Sequence, residues 1–233
     1  MIFFAKKKMK APVLIDIGAR GGMLQPWRSL AALGLIRGFG FEADTVEANL
    51  LNSKYAFIKI LPFALGDKGK KTKFFITRSP DCSSCLMPNF EILDRYPNSH
   101  HFQIDRTETI STNKLEKLVH DGLVPAPTYL KIDAQGYEYN ILKGAEHLLI
   151  DSVLCIELEA HLLELYLGQK TLSQIKSYLE DFYFILCDFR PQGSFGDEIV
   201  EANCFFVKKN NALDQDQINH IHLWKRANNI KTY

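Results

Sequence analysis

A glycine-rich segment near the start of the chain has the residue types of a nucleotide-binding turn. Residues 16–22, with the sequence DIGARGG, directly follow a short apolar run that begins at Pro12. Glycines allow a tight turn and a close approach of a ligand to the backbone, and a following helix adds oriented N–H groups. In an open α/β sheet, nucleotide-like ligands bind at such a turn. The segment therefore predicts a cofactor site, although a plain glycine turn would have the same residues.

Glu42 adds to this prediction because it stands about 20 residues beyond the glycines, at the end of the second predicted strand. A carboxylate at that position accepts hydrogen bonds from ribose hydroxyls. The glycine pattern is G-x-x-G-G rather than G-x-G-x-x-G, and Asp16 would repel a pyrophosphate but attract an ammonium group. Both points favour S-adenosylmethionine over a nicotinamide dinucleotide.

Asp133 ends another apolar run, within residues 130–138 (LKIDAQGYE). An aspartate at the end of an inner strand lies at the mouth of the cofactor crevice. It is therefore the first candidate for a general base that takes a proton from an attacking hydroxyl. The alternative is that Asp133 only caps the helix that follows.

Glu157, Glu159 and His161 follow a further predicted strand and are predicted to point in alternating directions. Glu159 and His161 are the reserve candidates for the base. The scheme requires no metal, although the carboxylates of Asp133 and Glu159 could hold one. Cys82 and Cys85 have C-x-x-C spacing without the second pair of ligands that a zinc site needs.

Four segments, taken in order, resemble the FkbM-type S-adenosylmethionine-dependent methyltransferases: residues 16–21, 40–42, 64–67 and 131–145. The resemblance runs from about Val13 to Val207. It implies a Rossmann-like class I methyltransferase fold and methyl transfer to a hydroxyl oxygen. The residues that it predicts to bind the cofactor are Asp16, Gly18, Ala19, Arg20, Gly21, Glu42 and Asp67. Arg20 departs from the pattern, since many members carry a small polar residue there.

The elements that must position these residues alternate between strand and helix. Short apolar runs suit strands buried on both faces, and segments with a 3.6-residue period suit helices. The predicted strands are 12–17, 38–42, 57–65, 129–133, 152–158, 182–189 and 204–207. The predicted helices are 24–35, 46–52, 114–119, 137–149 and 171–182. This order predicts an α/β fold with a seven-stranded, mostly parallel sheet, one antiparallel strand, and helices on both faces.

The chain is predicted to form one domain over residues 1–233, with an insertion at about 71–111 and a tail at about 210–233. The insertion has strand-like segments at 73–77 and 101–104 and is expected to shape the acceptor pocket. The tail has apolar residues at helical spacing. It is predicted either to fold back on the body or to form the contact of a homodimer.

Composition narrows the class of protein. A net charge of +1 over 233 residues does not suggest a nucleic-acid partner, and no stretch approaches the roughly 20 apolar residues of a membrane span. Five scattered cysteines do not suggest a disulfide framework, so a cytoplasmic location is expected. The predicted partner is a small-molecule or glycan acceptor with a hydroxyl group. Two alternatives stay open: a non-catalytic module that binds S-adenosylmethionine or a nucleotide, and a nicotinamide-dependent oxidoreductase.

Overall fold

A seven-stranded sheet forms the centre of the computed structural model, which describes residues 10–209 and 212–231. The strands in those residues are β1 (Val13–Ile17), β2 (Arg37–Phe41), β3 (Ile58–Leu61), β4 (Ala64–Leu65), β5 (Lys71–Thr77), β6 (Ile104–Asn113), β7 (Tyr129–Ile132), β8 (Cys155–His161), β9 (Phe184–Phe195) and β10 (Glu198–Lys208). The large sheet has the spatial order β3-β2-β1-β7-β8-β10-β9. Its strands run parallel except for β10, which is antiparallel to β8 and β9. The predicted α/β fold is confirmed.

The strand order reverses between β1 and β7. From β1 the chain moves outward to β2 and β3, and it later returns to the other side of β1 as β7. Such a reversal separates the loops at the carboxyl ends of the two strands and leaves a crevice between them. The predicted site residues that follow β1 and β7 therefore meet at one edge of the sheet.

Helices cover both faces of this sheet. They are α1 (Trp27–Ala32), α2 (Thr45–Lys54), α3 (Phe90–Leu93), α4 (Leu115–His120), α5 (Glu138–Lys143), α6 (Glu146–Asp151), α7 (Leu172–Glu180) and α8 (Gln215–Ala227). Val13, Ile15 and Ile17 of β1 join the core cluster that contains α4 to α7, and Leu14 joins the cluster that contains α1, α2 and α8. Because both faces are buried, the strand needs a continuous apolar run rather than an alternating one.

Several element boundaries differ from the prediction. The expected helix 137–149 is two helices, α5 and α6, which meet at Gly144. The expected strand 57–65 is interrupted at Pro62, since proline cannot donate to the sheet, and continues as β4 in a second sheet. The last two strands extend through the expected loop 191–197, because Gly196 adopts a φ of +63° and allows a tight hairpin turn.

The insertion forms a second sheet, of order β4-β6-β5. Its antiparallel pair is β5 and β6. The predicted bounds 101–104 of the second strand are wrong, because residues Pro97–Phe102 form a 3₁₀ helix and the strand begins at Ile104. The loop after β5 returns to that strand through hydrogen bonds between Phe75 and Ser84. This loop lies over the carboxyl edge of the large sheet and contributes to the cavity described below.

The described part of the tail packs on the body of the protein. Trp224 of α8 is fully buried and contacts Phe205 of β10 edge to face, with ring centroids 5.8 Å apart. The Tyr129 hydroxyl donates a hydrogen bond to the His220 carbonyl at 2.7 Å. Residues 210, 211, 232 and 233 of the predicted tail lie outside the described residues. Among the helices of residues 10–209 and 212–231, none has the length and apolar character needed to cross a membrane.

The junction at Gly144 generates a prediction for stability. A Cβ at this position would lie 2.1 Å from the backbone oxygen of Gly66, so Gly144→Ala must displace the backbone. We expect a loss of about 1–3 kcal/mol in the free energy of unfolding, measured in urea. Gly69→Ala is the matched control, because its Cβ would meet only Thr112 at 3.8 Å. Equal stability of the two variants would show that the junction tolerates a side chain.

Candidate functional site

A cavity of about 420 Å³ lies at the carboxyl edge of the sheet, where the strand order reverses. Its size falls within the range of about 300–1,000 Å³ that is usual for ligand pockets. The ends of β1, β2, β7 and β8, a residue of β10 and the insertion loop form its walls. The predicted site residues in the wall are Gly18, Arg20, Glu42, Asp133 and Glu159. Other polar side chains in the wall include Asp81, Gln135 and Glu201.

Gly18 brings three strand ends together. Its backbone has a φ of +80°, and a Cβ there would lie 1.7 Å from the backbone oxygen of Asp133. The amides of Gly18 and Ala19 both donate to the Phe41 carbonyl at 3.0 Å, and the Asp133 amide donates to the Ile17 carbonyl at 2.9 Å. Only glycine combines this backbone conformation with this close approach. Ala19 is buried and is not part of the cavity wall.

Arg20 and Gly21 connect the glycine turn to the start of α2. The Arg20 guanidinium forms an ion pair with Asp44 at 3.3 Å, and the Gly21 amide donates to Glu47 Oε1 at 3.0 Å. Asp44 caps α2 by accepting hydrogen bonds from two amides of its first turn. Arg20 lines the cavity, whereas Gly21 does not. The departure at Arg20 from the family pattern is thus accommodated by a carboxylate partner.

Glu42 presents its carboxylate to the cavity from the end of β2. Oε1 accepts a hydrogen bond from the Asp44 amide at 2.9 Å, and Oε2 accepts none from the described residues. Burial raises the pKa of this carboxyl, and the Asp44 amide and the charge of Arg20 counteract the rise. One carboxylate oxygen is therefore fixed and the other is free to accept hydrogen bonds from a ligand.

Asp16 lies beneath the cavity rather than in its wall. It forms a row with Lys131 and Glu157 across β1, β7 and β8, and the ammonium of Lys131 is 3.3 Å from Asp16 Oδ1. The indole of Trp27 donates to Glu157 at 3.3 Å. Burial alone would lower the pKa of Lys131, but the charges of Asp16, Asp133 and Glu157 outweigh it and raise the pKa. The Asp16 carboxylate thus has a cation partner within the protein, and its predicted attraction of a ligand ammonium stays a prediction.

Asp67 also lies outside the cavity wall. It follows β4 in the second sheet, and Lys68 lies 4.0 Å from its Oδ2. Its Oδ1 is buried and accepts no hydrogen bond from the described residues. Four of the predicted residues therefore meet in the cavity wall: Gly18, Arg20, Glu42 and Asp133. Four others lie outside the wall: Asp16, Ala19, Gly21 and Asp67.

Asp133 does not act as a helix cap. The turn between β7 and α5 is closed instead by Glu138, whose Oε1 accepts hydrogen bonds from the amides of Ala134 and Gly136 at 2.9 and 3.1 Å. The side chain of Asp133 is 36% exposed and lines the cavity. Its described polar partners are the side chains of Gln135 and Lys131. The alternative that Asp133 only caps the helix is therefore wrong, and its role as a base stays a prediction.

Gln135 joins Asp133 to Glu159. Its Nε2 donates to Asp133 Oδ1 at 3.1 Å and to Glu159 Oε1 at 2.7 Å. Burial raises the pKa of Glu159 to about 9, and the negative charges of Asp133, Glu201 and Glu138 add to the rise. Glu159 therefore holds a proton at neutral pH.

His161 is 2% exposed and is not part of the cavity wall. Gln169 Oε1 accepts from the Tyr166 amide at 2.8 Å, so its Nε2 must be the group that donates to His161 Nδ1 at 3.0 Å. The neutral imidazole then carries its proton on Nε2, which lies 3.6 Å from Glu201. With its lone pair already engaged, His161 is a poor base.

The predicted alternation of Glu157, Glu159 and His161 is wrong. The three residues lie within β8 rather than after it. They are two positions apart, so all three lie on the same face of the sheet.

A metal ion at either carboxylate cluster would have to displace hydrogen bonds that the protein already makes. Ligand atoms of Glu159, His161 and Glu201 lie within 4.8 Å of one another. However, the imidazole offers no free lone pair there, because Gln169 engages Nδ1 and Nε2 carries the proton. Between Asp133 and Glu159, the Gln135 amide already supplies the donor that a cation would otherwise replace.

Sequence reasoning missed the roles of Gln135, Tyr166, Gln169 and Glu201. Glu201 pairs with His161 across β8 and β10, and irregularities in the β9–β10 ladder flank it. Such bulges redirect side chains next to functional sites. A signal for Glu201 could have come from pairing the last two strands in register, but the other three are found only through their side-chain partners.

Comparisons with known proteins show the family and the fold of the chain. A family model described as the methyltransferase FkbM domain matches residues 16–186. A solved structure of methyltransferase FkbM from Methylobacillus flagellatus KT is 15% identical with a TM-score of 0.52; the match covers 88% of this chain and 46% of that one. The chain thus spans less than half the length of that protein. Magnesium protoporphyrin IX methyltransferase from Synechocystis PCC 6803, solved with bound SAM, is 14% identical with a TM-score of 0.44, over 87% of this chain and 72% of that one. Among curated proteins, no significant match was found.

The buried row beneath the site generates a prediction for stability. Lys131→Met leaves the carboxylates of Asp16 and Glu157 without their shared cation, so we expect a loss of about 3–5 kcal/mol in unfolding free energy. Lys176→Met is the matched control, because Lys176 forms an exposed pair with Glu180 on α7 and should cost less than about 1 kcal/mol. Urea denaturation measures both. If the two losses were equal, the row would not depend on its cation.

Proposed function

The chain belongs to the methyltransferase FkbM domain family, and we propose that it transfers a methyl group from S-adenosylmethionine to a hydroxyl oxygen of a small-molecule or glycan acceptor. The observation that carries this proposal is the arrangement of the cavity. Glu42 lies on one side of it, and Asp133 and Glu159 lie on the other. One carboxylate is thus available for a ribose, and a second pair is available for an acceptor.

The residues present fit the cofactor. Gly18 lines the cavity next to the cofactor-side carboxylate, and Glu42 Oε2 is free to accept from ribose hydroxyls. When bound, S-adenosylmethionine supplies an activated methyl group. The chain itself binds and orients, with Gly18 and Glu42 as contacts and Asp16 acting indirectly by fixing Lys131 beneath the turn.

The charges of the wall indicate what kind of acceptor the cavity admits. Among the described residues that form it, Arg20 is the only basic one, and Asp44 neutralises it. Asp81, Asp133, Glu159 and Glu201 are acidic. An acceptor with a carboxylate or phosphate next to its reacting group would be repelled, whereas hydroxyl groups can donate to these side chains.

Asp133 is proposed as the general base. Its carboxylate lines the cavity at the carboxyl end of β7, and one oxygen, Oδ2, accepts no hydrogen bond from the described residues. Asp133 would take the proton that the acceptor hydroxyl loses when its oxygen gains the methyl group, the S–CH3 bond breaks and S-adenosylhomocysteine leaves. Glu159 is the weaker candidate because it is itself protonated, and His161 is weaker because Gln169 engages its lone pair. The cytoplasmic location and the homodimer stay predictions.

Cofactor binding tests the proposal first. Calorimetry should show S-adenosylmethionine binding with a micromolar dissociation constant, about −8 kcal/mol, and no comparable binding of NAD. Glu42→Ala should weaken that binding about tenfold or more, since a charge-assisted hydrogen bond contributes about 1.5–3 kcal/mol. The control is Glu91→Ala on the exposed face of α3.

Two results would count against the proposal. Binding of NAD without S-adenosylmethionine would favour an oxidoreductase. Tight binding of S-adenosylmethionine without methyl transfer to any hydroxyl compound in a broad panel would favour a non-catalytic module.

The base is tested by Asp133→Asn. Asparagine keeps the size of the side chain but takes no proton at neutral pH, so turnover on an acceptor from the panel should fall about 10²–10⁴-fold. Affinity for S-adenosylhomocysteine should change less than about tenfold, because Asp133 lies on the acceptor side of the cavity. Turnover is measured with methyl-labelled S-adenosylmethionine. Near-normal turnover would move the base to Glu159.

A further inference from the structure

The amide of Gln135 is the point at which the two acceptor-side carboxyls meet. Both Asp133 Oδ1 and Glu159 Oε1 accept from its Nε2. An amide nitrogen has two N–H groups, so one donor can serve each carboxyl. The second oxygens, Asp133 Oδ2 and Glu159 Oε2, accept no hydrogen bond from the described residues.

Gln135 is itself held in place from three directions. Its side-chain Oε1 lies 3.1 Å from the Tyr166 hydroxyl, whose single proton is shared between that oxygen and the Cys82 carbonyl at 2.9 Å, while its Nε2 faces the two carboxyls. Its carbonyl accepts from the Ser84 hydroxyl at 2.7 Å, and Glu138 binds the amides on either side of it. Its backbone has a φ of +51°, a left-handed conformation that non-glycine residues adopt only where the surroundings impose it.

Three acidic side chains lie close to Glu159. Asp133 faces it from the end of β7, Glu201 from β10, and Glu138 from α5. His161, on the same strand, lies on the same face of the sheet, and its Nδ1 is 3.0 Å from Gln169 Nε2. Two carboxyls that share a site cannot both be ionised without a large cost. One proton must therefore reside in the cluster, and burial places it on Glu159, whose pKa is raised to about 9.

We propose that Gln135 is a positioning residue that occupies one oxygen of each carboxyl, so that the free oxygen of Glu159 carries a proton and the free oxygen of Asp133 accepts one. An oxygen that already accepts an N–H group cannot carry a proton directed at that group. The proton of Glu159 therefore resides on Oε2. Pairs of carboxyls with opposite protonation states are the arrangement by which enzymes divide acid and base roles.

The consequence for the reaction rests on the proposed function. Glu159 donates a hydrogen bond to the acceptor and orients it, while Asp133 Oδ2 takes the hydroxyl proton. The arrangement of protons itself is a property of the chain alone, so it can be measured without cofactor or acceptor.

The test follows the titration of Glu159 by NMR, in protein labelled with ¹³C at the glutamate carboxyls. Glu159→Gln identifies the resonance by its loss. In the wild-type protein the midpoint should lie near pH 9. Gln135→Leu removes a donor that favours the ionised form, so the midpoint should rise by about one unit or more.

Two further variants serve as a substitute for Gln135→Leu and as a control. Asparagine tolerates a left-handed backbone but is too short to reach both carboxyls, so Gln135→Asn should also raise the midpoint if Gln135→Leu fails to fold. Gln192→Leu, at an exposed position of β9, should leave it unchanged.

A wild-type midpoint near the ordinary value for glutamate would overturn the inference, and so would an unchanged midpoint in a folded Gln135 variant. Failure of S-adenosylmethionine to bind would overturn the proposed function alone, because the titration requires no ligand.

Discussion

The close approach of Gly18 to the backbone of Asp133 is the constraint on which the site depends. A glycine with a left-handed φ allows the end of β1 to touch the end of β7, with no room for a Cβ between them. Because these two strands flank the reversal of strand order, their contact forms the floor of the cavity. The positions of Glu42 on β2 and of the Asp133 turn both follow from this floor.

Charged side chains lie at two levels at the carboxyl edge of the large sheet: a lower level beneath the cavity and an upper level in its wall. In the lower level, Lys131 lies between Asp16 and Glu157, so that buried negative charge has a partner. In the upper level, Lys131 lies 4.0 Å from Asp133, Gln135 donates hydrogen bonds to Asp133 and Glu159, and Glu201 lies 3.6 Å from His161. Loss of the cation is expected to destabilise the lower level, whereas the upper level contains the carboxyls that the proposed reaction uses.

The sequence was sufficient for features that depend on local pattern. Buried strands have apolar runs, and side chains at their carboxyl ends meet at one edge of a parallel sheet, so the fold and the positions of Glu42 and Asp133 could be predicted. The place of Asp16 could not, because it depends on Lys131 of a neighbouring strand. The proton position on His161 depends on Gln169 and, through it, on Tyr166. Such chains of side-chain contacts leave no periodic signal.

The insertion contacts the Asp133 turn through the Ser84 hydroxyl, which donates to the Gln135 carbonyl. It contacts the segment after β8 through several hydrogen bonds, including that of the Tyr166 hydroxyl to the Cys82 carbonyl. Its strands β5 and β6 belong to a separate sheet, so changes in their length leave the register of the large sheet untouched. The insertion loop that covers the cavity is therefore structurally separate from the large sheet. A change in the shape of this loop can therefore alter which molecules enter the cavity while the floor and its carboxyls keep their positions.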